Sequence, residues 1–318
     1  LANLGVRVSN LEKKVGNISW NGDARMRYIA SSSDKVADKY DGRIRLNVKG
    51  QVNDATYVQG QFVNNMNFKD EASSNTTMAQ IYVNHNFGKN VAVRLGRQPI
   101  AFGNQGGWLY NGLEGYDGAQ VSYNNGKLSL TTGFGQLNAS DMAEVTKEDM
   151  YFAKGAYDFG FAKLNADYIA DKDGKAQYRD EIFGVGLNIP VQKFNVFGEY
   201  WNNTTASDYD TAWNAGLSYG KADWKKAGTW DLSVAYNDVD YNVYFGGGTW
   251  HNDMLKNFTF SNGKYLYATN LTFWTAIANV TLQKNVQLHA EYAFAADAEG
   301  TCGVDPDDSW TVSLNYKF

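Results

Sequence analysis

The residues best suited to chemistry in this 318-residue chain are basic, and they recur at every second position. Arg25 and Arg27 are followed by Arg43, Arg45 and Lys49, and later by Arg94. In an extended strand alternate residues share one face, so each set presents its charges to one side. Like charges so placed repel unless they meet water or carboxylates. Carboxylates of the right kind close the stretch Pro99–Asp117, where Glu114 and Asp117 follow a run of glycines and aromatics. Gln105, Trp108, Tyr110 and Tyr116 complete a loop that can bend sharply and pack against a wall. A basic wall facing an acidic loop would set a field that orients dipolar solutes and filters ions at close range. The competing reading is that the arginines pair with Asp23 and its neighbours and only solvate the wall. Arg97 is ambiguous: alternation from Leu95 points it away from Arg94, whereas a bulge at Gly96 would turn it inward.

Other chemistries find little support. The three histidines are His85, His251 and His289. His289 stands two residues from Glu291, but no serine accompanies it in sequence as an acyl-transfer site requires. No metal-ligand spacing occurs, and the single Cys302 excludes an intrachain disulfide. We therefore expect no catalytic residues, no metal and no cofactor. A net charge of −5 argues against nucleic acid as a partner.

The elements that would carry these residues are strands. From Ile18 onward apolar and polar residues alternate, with Trp20, Ala24, Met26 and Tyr28 opposite Asp23, Arg25 and Arg27. The same pattern recurs about sixteen times, to Trp310, Val312, Leu314, Tyr316 and Phe318 in the last ten residues. Turns and loops alternate in length. Short ones fall at Asn53-Asp54, Phe87–Asn90, Asn124–Lys127, Asp158–Gly160, Pro190–Lys193 and Gln283–Asn285, with long ones between. Mean hydropathy is −0.47 and no apolar run could form a spanning helix. Alternating strands span without one, and 21 Tyr, 17 Phe and 9 Trp suit interfacial girdles. The pattern predicts an all-β fold, a transmembrane antiparallel β-barrel of about sixteen strands over residues 18–318. Such a barrel is too wide for side chains to fill, so the apolar rows face lipid and the polar rows line water. The loop at 239–265, also aromatic and Gly-rich, is a second candidate to narrow the pore or cover its mouth.

Before the first strand the period is different. Leu1, Leu4, Val8, Leu11, Val15 and Ile18 are spaced by three and four in turn, an a/d heptad seam. With Leu4, Val8, Leu11 and Val15 at its centre, residues 1–17 read as the end of an α-helical coiled-coil stalk that continues upstream. With no initiator Met and no signal peptide, the chain reads as a processed or truncated piece.

The LGRQ stretch Leu95–Gln98 before a Gly- and aromatic-rich third loop, the alternating strands and the terminal Tyr316-Lys317-Phe318 resemble trimeric general diffusion porins. The preceding heptads make the chain similar to the OmpM-type tethered porins of diderm Firmicutes. That resemblance implies a homotrimer in the bacterial outer membrane, in contact with lipid and lipopolysaccharide. It further implies a peptidoglycan-binding domain upstream, absent from this sequence. It also implies that the closing strand, with Trp310, Tyr316 and Phe318, is the signal read by the barrel-assembly machinery. The expected activity is passive diffusion of small hydrophilic solutes and ions, the alternatives being a substrate-selective channel or an envelope anchor with a restricted pore.

Overall fold

The computed structural model describes residues 16–32, 38–69, 74–104, 107–109, 111–137, 148–171, 181–243, 254, 268–300 and 305–318. Among them run sixteen strands. The first eight are β1 (Ile18–Ser31), β2 (Lys39–Asn53), β3 (Thr56–Asn67), β4 (Ser74–Phe87), β5 (Val91–Ala101), β6 (Asn111–Asn124), β7 (Leu128–Leu137) and β8 (Glu148–Asp158). The second eight are β9 (Lys163–Asp171), β10 (Glu181–Val191), β11 (Phe194–Asn203), β12 (Thr211–Gly220), β13 (Trp230–Asp240), β14 (Ala268–Gln283), β15 (Val286–Gly300) and β16 (Ser309–Lys317). A short 3-10 turn, Tyr241–Val243, follows β13. Every strand pairs antiparallel with its sequence neighbours, and β16 returns to β1 to close the barrel.

Short polar side chains build the tight turns. The side-chain carbonyl of Asn53 accepts from the N–H of Ala55 at 3.0 Å, and that of Asn124 accepts from Gly126 at 2.7 Å. The Asp158 carboxylate accepts from Gly160 N–H at 2.8 Å. These side chains mimic a backbone turn and so end one strand and start the next within a few residues.

Outward rows are apolar, as alternation predicts. Trp20, Ile81, Leu95, Leu130 and Val312 are all exposed on the wall. Aromatics collect in two outward belts. Near the short turns, Tyr157 meets Phe159 at 4.6 Å between ring centres, Phe194 meets Tyr219 at 4.9 Å and Tyr219 meets Trp230 at 5.4 Å. Toward the long loops, Trp213, Tyr236 and Trp274 form a second chain of rings at 5.5 and 5.2 Å. Two aromatic bands flanking an apolar zone match the two interfaces of a bilayer.

The inward rows depart from expectation. Those of β15, β16 and β1–β5 are mostly polar, with apolar exceptions such as Val63 and Ala293, but high on β8–β14 the inward residues include Met150, Phe152, Ile169, Ile182, Trp201, Val239, Leu271 and Phe273, all buried. They form one apolar cluster with Ile100 near the end of β5, with Phe102, Trp108 and Leu109 from the loop region after it, and with Val243 and Met254 beyond β13. An inner row becomes apolar wherever protein rather than water covers it, a choice that alternation cannot reveal. The heptad seam Leu4, Val8, Leu11 and Val15 lies outside the described residues, and residues 16–17 form a turn into β1.

The pairing that closes the barrel runs on to the last residue. Gly22 N–H donates to the Phe318 carbonyl at 2.8 Å and Phe318 N–H donates back at 3.0 Å. Each backbone bond contributes about 0.5–1.5 kcal/mol, and the edge it leaves exposed is itself a liability. Deleting Phe318 should lower the fraction of heat-modifiable, folded barrel in refolding assays while leaving the conductance of the surviving barrels unchanged. Wild-type folding yield in the truncated chain would show that this pair does not govern closure.

Candidate functional site

The described part of the loop after β5, residues 102–104 and 107–109, lies inside the barrel, and several weak strand-end signals put it there. The loop is shorter than alternation implies: β5 continues to Ala101 and β6 begins at Asn111. Phe102 stands edge-on to Phe152 of β8 at 5.8 Å. Trp108 and Leu109 are buried in the apolar cluster. Polar anchors pin the turn to the wall at the same time. Lys154 of β8 donates to the Ala101 carbonyl, and its ammonium lies 5.2 Å from the Phe102 ring centre. Gly103 N–H donates to the Asp167 carboxylate of β9 at 3.1 Å, and Asn165 donates to the same oxygen at 2.8 Å. Asn104 reaches two backbone carbonyls, Leu187 at 2.8 Å and Gly198 at 3.1 Å.

Two glycines make this approach possible. Gly103 holds φ at +86°, and a Cβ there would collide with the Glu199 carboxylate. A Cβ on Gly186 would stand 2.8 Å from the Asn104 amide carbon, so a bare position in β10 leaves room for the loop.

The arginines stand on the opposite side. The loop is anchored on β8–β11, and β1 lies eight strands from β9 in a ring of sixteen. Arg27 holds Asp41 with two bonds, at 2.9 and 2.5 Å, and Arg45 holds Asp23 at 2.9 and 2.8 Å. Arg43 reaches Asp23 at 3.4 Å and Arg25 reaches Asp41 at 4.0 Å. Among the described residues, Asp41 thus meets Arg25 and Arg27, and Asp23 meets Arg43 and Arg45. Lys49 lies 4.2 Å from the Tyr57 ring centre, and Arg94 donates to Asn84 at 3.0 Å beside the Tyr82 ring. A ladder of amides links the strands between, with Asn47 donating to Asn21 at 2.8 Å and Gln61 to Asn47 at 2.7 Å.

Some expected loop residues belong elsewhere. Asp117 is in β6, in register with Arg97 and in the outward row of Ala119 and Val121. Arg97 grips it at 2.6 and 2.7 Å. The irregularity in β5 comes after Gln98, so the alternation that points Arg97 outward is kept. Asp117 is thus an outer-wall residue and not part of the constriction. Tyr116 faces inward but is buried beneath the loop, edge-on to Phe152 at 5.1 Å, its hydroxyl donating to Gln120 at 3.0 Å. Gln105, Tyr110 and the Glu114 side chain lie outside the described residues.

Sequence reading missed Lys154, Asp167, Asn104 and Glu199, since single charges in ordinary strands carry no motif. It also missed a pairing across the inner wall: Ser313 is in register with His289. The imidazole does not serve it, because its two nitrogens meet Asn279 at 2.7 Å and Glu291 at 2.8 Å, while Ser313 accepts from Asn315 at 3.0 Å. Among the described residues no group of acidic, His and Cys side chains could hold a metal ion, and no helix is long and apolar enough to cross a membrane.

The fold is that of a porin. A five-substitution mutant of Rh. blastica porin matches with a TM-score of 0.63 and 13% identity, covering 95% of this chain and 100% of that one. A triple mutant of Rhodopseudomonas blastica porin matches with a TM-score of 0.63 and 12% identity over the same shares. No family model and no curated protein sequence matches the chain.

The ion contact between Lys154 and the loop carbonyl is the anchor most open to test, because charge-assisted bonds contribute about 1.5–3 kcal/mol. Lys154→Met should loosen the loop and raise both the mean and the noise of single-channel conductance, and Asp167→Asn should do so less. A trace identical to wild type in both variants would mean that the apolar cluster alone holds the loop.

Proposed function

We propose that this chain forms an outer-membrane porin, a water-filled channel for passive diffusion of small hydrophilic solutes and ions. The observation that carries the reading is the two-sided lumen of a closed barrel, with a loop pinned to β8–β11 opposite a guanidinium-rich wall on β1 and β2. Polar side chains line the wall away from the loop, so the remaining passage is wet on one side and walled by protein on the other. Such an arrangement screens solutes by size and charge without any chemical step, and no enzymatic role is assigned.

The finer features belong to the same proposal. Residues 1–17 are the end of a stalk that tethers the barrel to peptidoglycan through an upstream domain, a reading that rests on the heptad spacing and the family resemblance. Trp310, Tyr316 and Phe318 form the strand end recognised by the barrel-assembly machinery. The outer belts contact lipid and lipopolysaccharide. Three copies assemble, and the outward Arg97–Asp117 pair supports this: charged side chains on a lipid face cost about 2–4 kcal/mol near the midplane, and a neighbouring copy would cover them. A restricted pore in a mainly structural anchor is the second reading, favoured by the apolar cluster that occupies part of the lumen.

Purified protein in a planar bilayer separates the two readings. Stable conductance steps are expected for a porin, and silence would favour the anchor. Replacing Arg25, Arg27, Arg43 and Arg45 with glutamine should move the reversal potential in a KCl gradient toward potassium selectivity. An unchanged potential would remove the basic wall from the ion path. For assembly, Asp117→Ala takes the carboxylate from Arg97 and should lower the temperature at which the oligomer dissociates on native gels. The charge-swapped double variant, Arg97→Asp with Asp117→Arg, should recover it. If the single variant is as stable as wild type, the contact between copies lies on another face.

A further inference from the structure

The two rims of the barrel differ in charge. The turns joining β2–β3, β4–β5, β6–β7, β8–β9, β10–β11, β12–β13 and β14–β15 lie at one rim, and all but the first carry lysine. Lys89, Lys127, Lys193 and Lys284 stand in tight turns and are exposed, as are Lys225 and Lys226 in the longer β12–β13 turn. Among the described residues none of these lysines forms an ion pair, whereas Lys163 at the start of β9 meets Asp158 at 3.5 Å. Carboxylates at this rim serve the turns themselves: Asp158 accepts from Gly160 N–H at 2.8 Å, and Asp223 accepts from Lys225 N–H at 2.9 Å. At the long-loop rim the described charges are mostly of the other sign. Tyr168 donates to Glu181 at 3.0 Å, Tyr292 to Asp308 at 2.5 Å, and Asn270 to both Asp238 and Asp240 at 2.7 and 2.8 Å. The described lysines there are Lys39, 3.9 Å from Asp41, and Lys69, which donates to the Asp38 carbonyl.

The lysines of the short-turn rim border the outward aromatic belt. Lys193 directly precedes Phe194, Lys89 follows Phe87 by two residues, and Lys317, just before Phe318, lies 4.0 Å from the Trp224 ring centre. Phe87, Phe194 and Phe318 are all exposed. Where aromatic rings sit at a bilayer interface, a lysine stem just beyond them carries its ammonium into the headgroup layer. The residue type fits that setting. The described arginines stand within strands β1, β2 and β5, whereas the described cations of this rim are all lysine. A point charge on a flexible stem suits fluid headgroups, as a rigid fork suits a fixed partner. The distribution fits as well. Lysine-bearing turns run from β4–β5 round to β14–β15 in the closed ring, which matches an annulus of lipid, whereas one docked macromolecule would meet a single side.

We propose that the short-turn rim is a docking surface for anionic phospholipid headgroups, a ring of lysines that concentrates lipids of the phosphatidylglycerol type in the leaflet it meets. An anionic headgroup offers its phosphate without a cation of its own, whereas a zwitterionic one brings its ammonium along and is attracted less. The opposite rim, with its carboxylates, repels the same headgroup, so the preference belongs to one leaflet. The inference rests on the membrane-barrel part of the proposed function, to which it adds a lipid class and a side. It does not require the pore to conduct.

Electron paramagnetic resonance of the full chain in phosphatidylcholine vesicles tests it, with trace spin-labelled phosphatidylglycerol or spin-labelled phosphatidylcholine as the probe. The motionally restricted fraction of each label gives their relative association with the barrel. Phosphatidylglycerol should be preferred about two- to fivefold at low salt. The ratio should fall toward one in about 1 M KCl, where the Debye length is about 3 Å. Replacing Lys193, Lys225, Lys226 and Lys284 together by glutamine should at least halve the excess, with heat modifiability on gels showing that the barrel still folds. Lys69→Gln, at the opposite rim, should leave the ratio as in wild type. Equal association of the two lipids, a ratio untouched by the fourfold variant, or an equal loss in Lys69→Gln would each overturn the inference. Equal association together with lysine-dependent retention of the detergent-solubilised chain on a polyglutamate column would give the rim to a soluble polyanion, and that too would overturn it. A lipid preference in a chain that carries no current would sink the diffusion-channel reading and support this one. Failure to insert into vesicles at all would remove the membrane barrel on which both stand.

Discussion

Closure of the sheet is the constraint on which the rest of this structure depends. An open edge would leave a row of unpaired backbone N–H and C=O groups, and the ring removes it. The chain meets that demand by pairing β16 with β1 along nine residues, from Asp23 with Lys317 to Ser31 with Ser309. Once the ring is closed, every strand has two neighbours and a fixed register. Every side chain is then committed to the outer face or the lumen by its parity alone. The outer face shows little freedom, carrying exposed apolar rows around the wall. The inner face is free to vary, and the chain uses that freedom to build two unlike walls.

Those walls divide the labour of the lumen. On β8–β14 the inward residues high in the barrel are apolar and take up the loop, whose Phe102, Trp108 and Leu109 would otherwise sit in water. Burying such side chains contributes about 1.5–3 kcal/mol each, enough to hold a short segment against the entropy of a free loop. Lys154, Asp167 and Asn104 then fix its position, since apolar contact is non-directional and cannot by itself choose where Gly103 stands. Among the described residues the opposite wall carries an amide ladder ending in the arginines of β1 and β2. Packing holds the described loop residues to one wall, and the charges stand on the other.

This division explains what could be read in the sequence. The strands were legible because period two is a strong signal when one face of every strand is an apolar row. Trp310–Phe318, for instance, shows in sequence the same alternation it has in the wall. Asn124 and Asn125 marked their turn because an Asx side chain and a following glycine have a specific backbone role. The inward apolar cluster was not legible, since Ile169 or Phe152 in an inner row looks like a slip in alternation until the loop that covers it is seen. Arg97 and Asp117 show the opposite case. Asp117 was expected in the loop and Arg97 was open between two facings, yet parity puts both outside, and parity prevails because no bulge intervenes between Leu95 and Gln98.

Register, finally, is what turns charged residues into an electrostatic arrangement. A shift of β2 by two residues would preserve the facing of every side chain and could set Arg25 against Asp41 and Asp23 against Arg43. Charge pairing in that register would be no worse at those rungs than in the one adopted, so ion pairs do not choose it. Closure does. The alignment of β1 with β2 must agree with that of β1 with β16 and with the stagger accumulated around all sixteen strands. A rung of two arginines is therefore held by hydrogen bonds that have nothing to do with charge, and the wall can sustain a like-charge pair that a freely pairing sheet would slip to avoid.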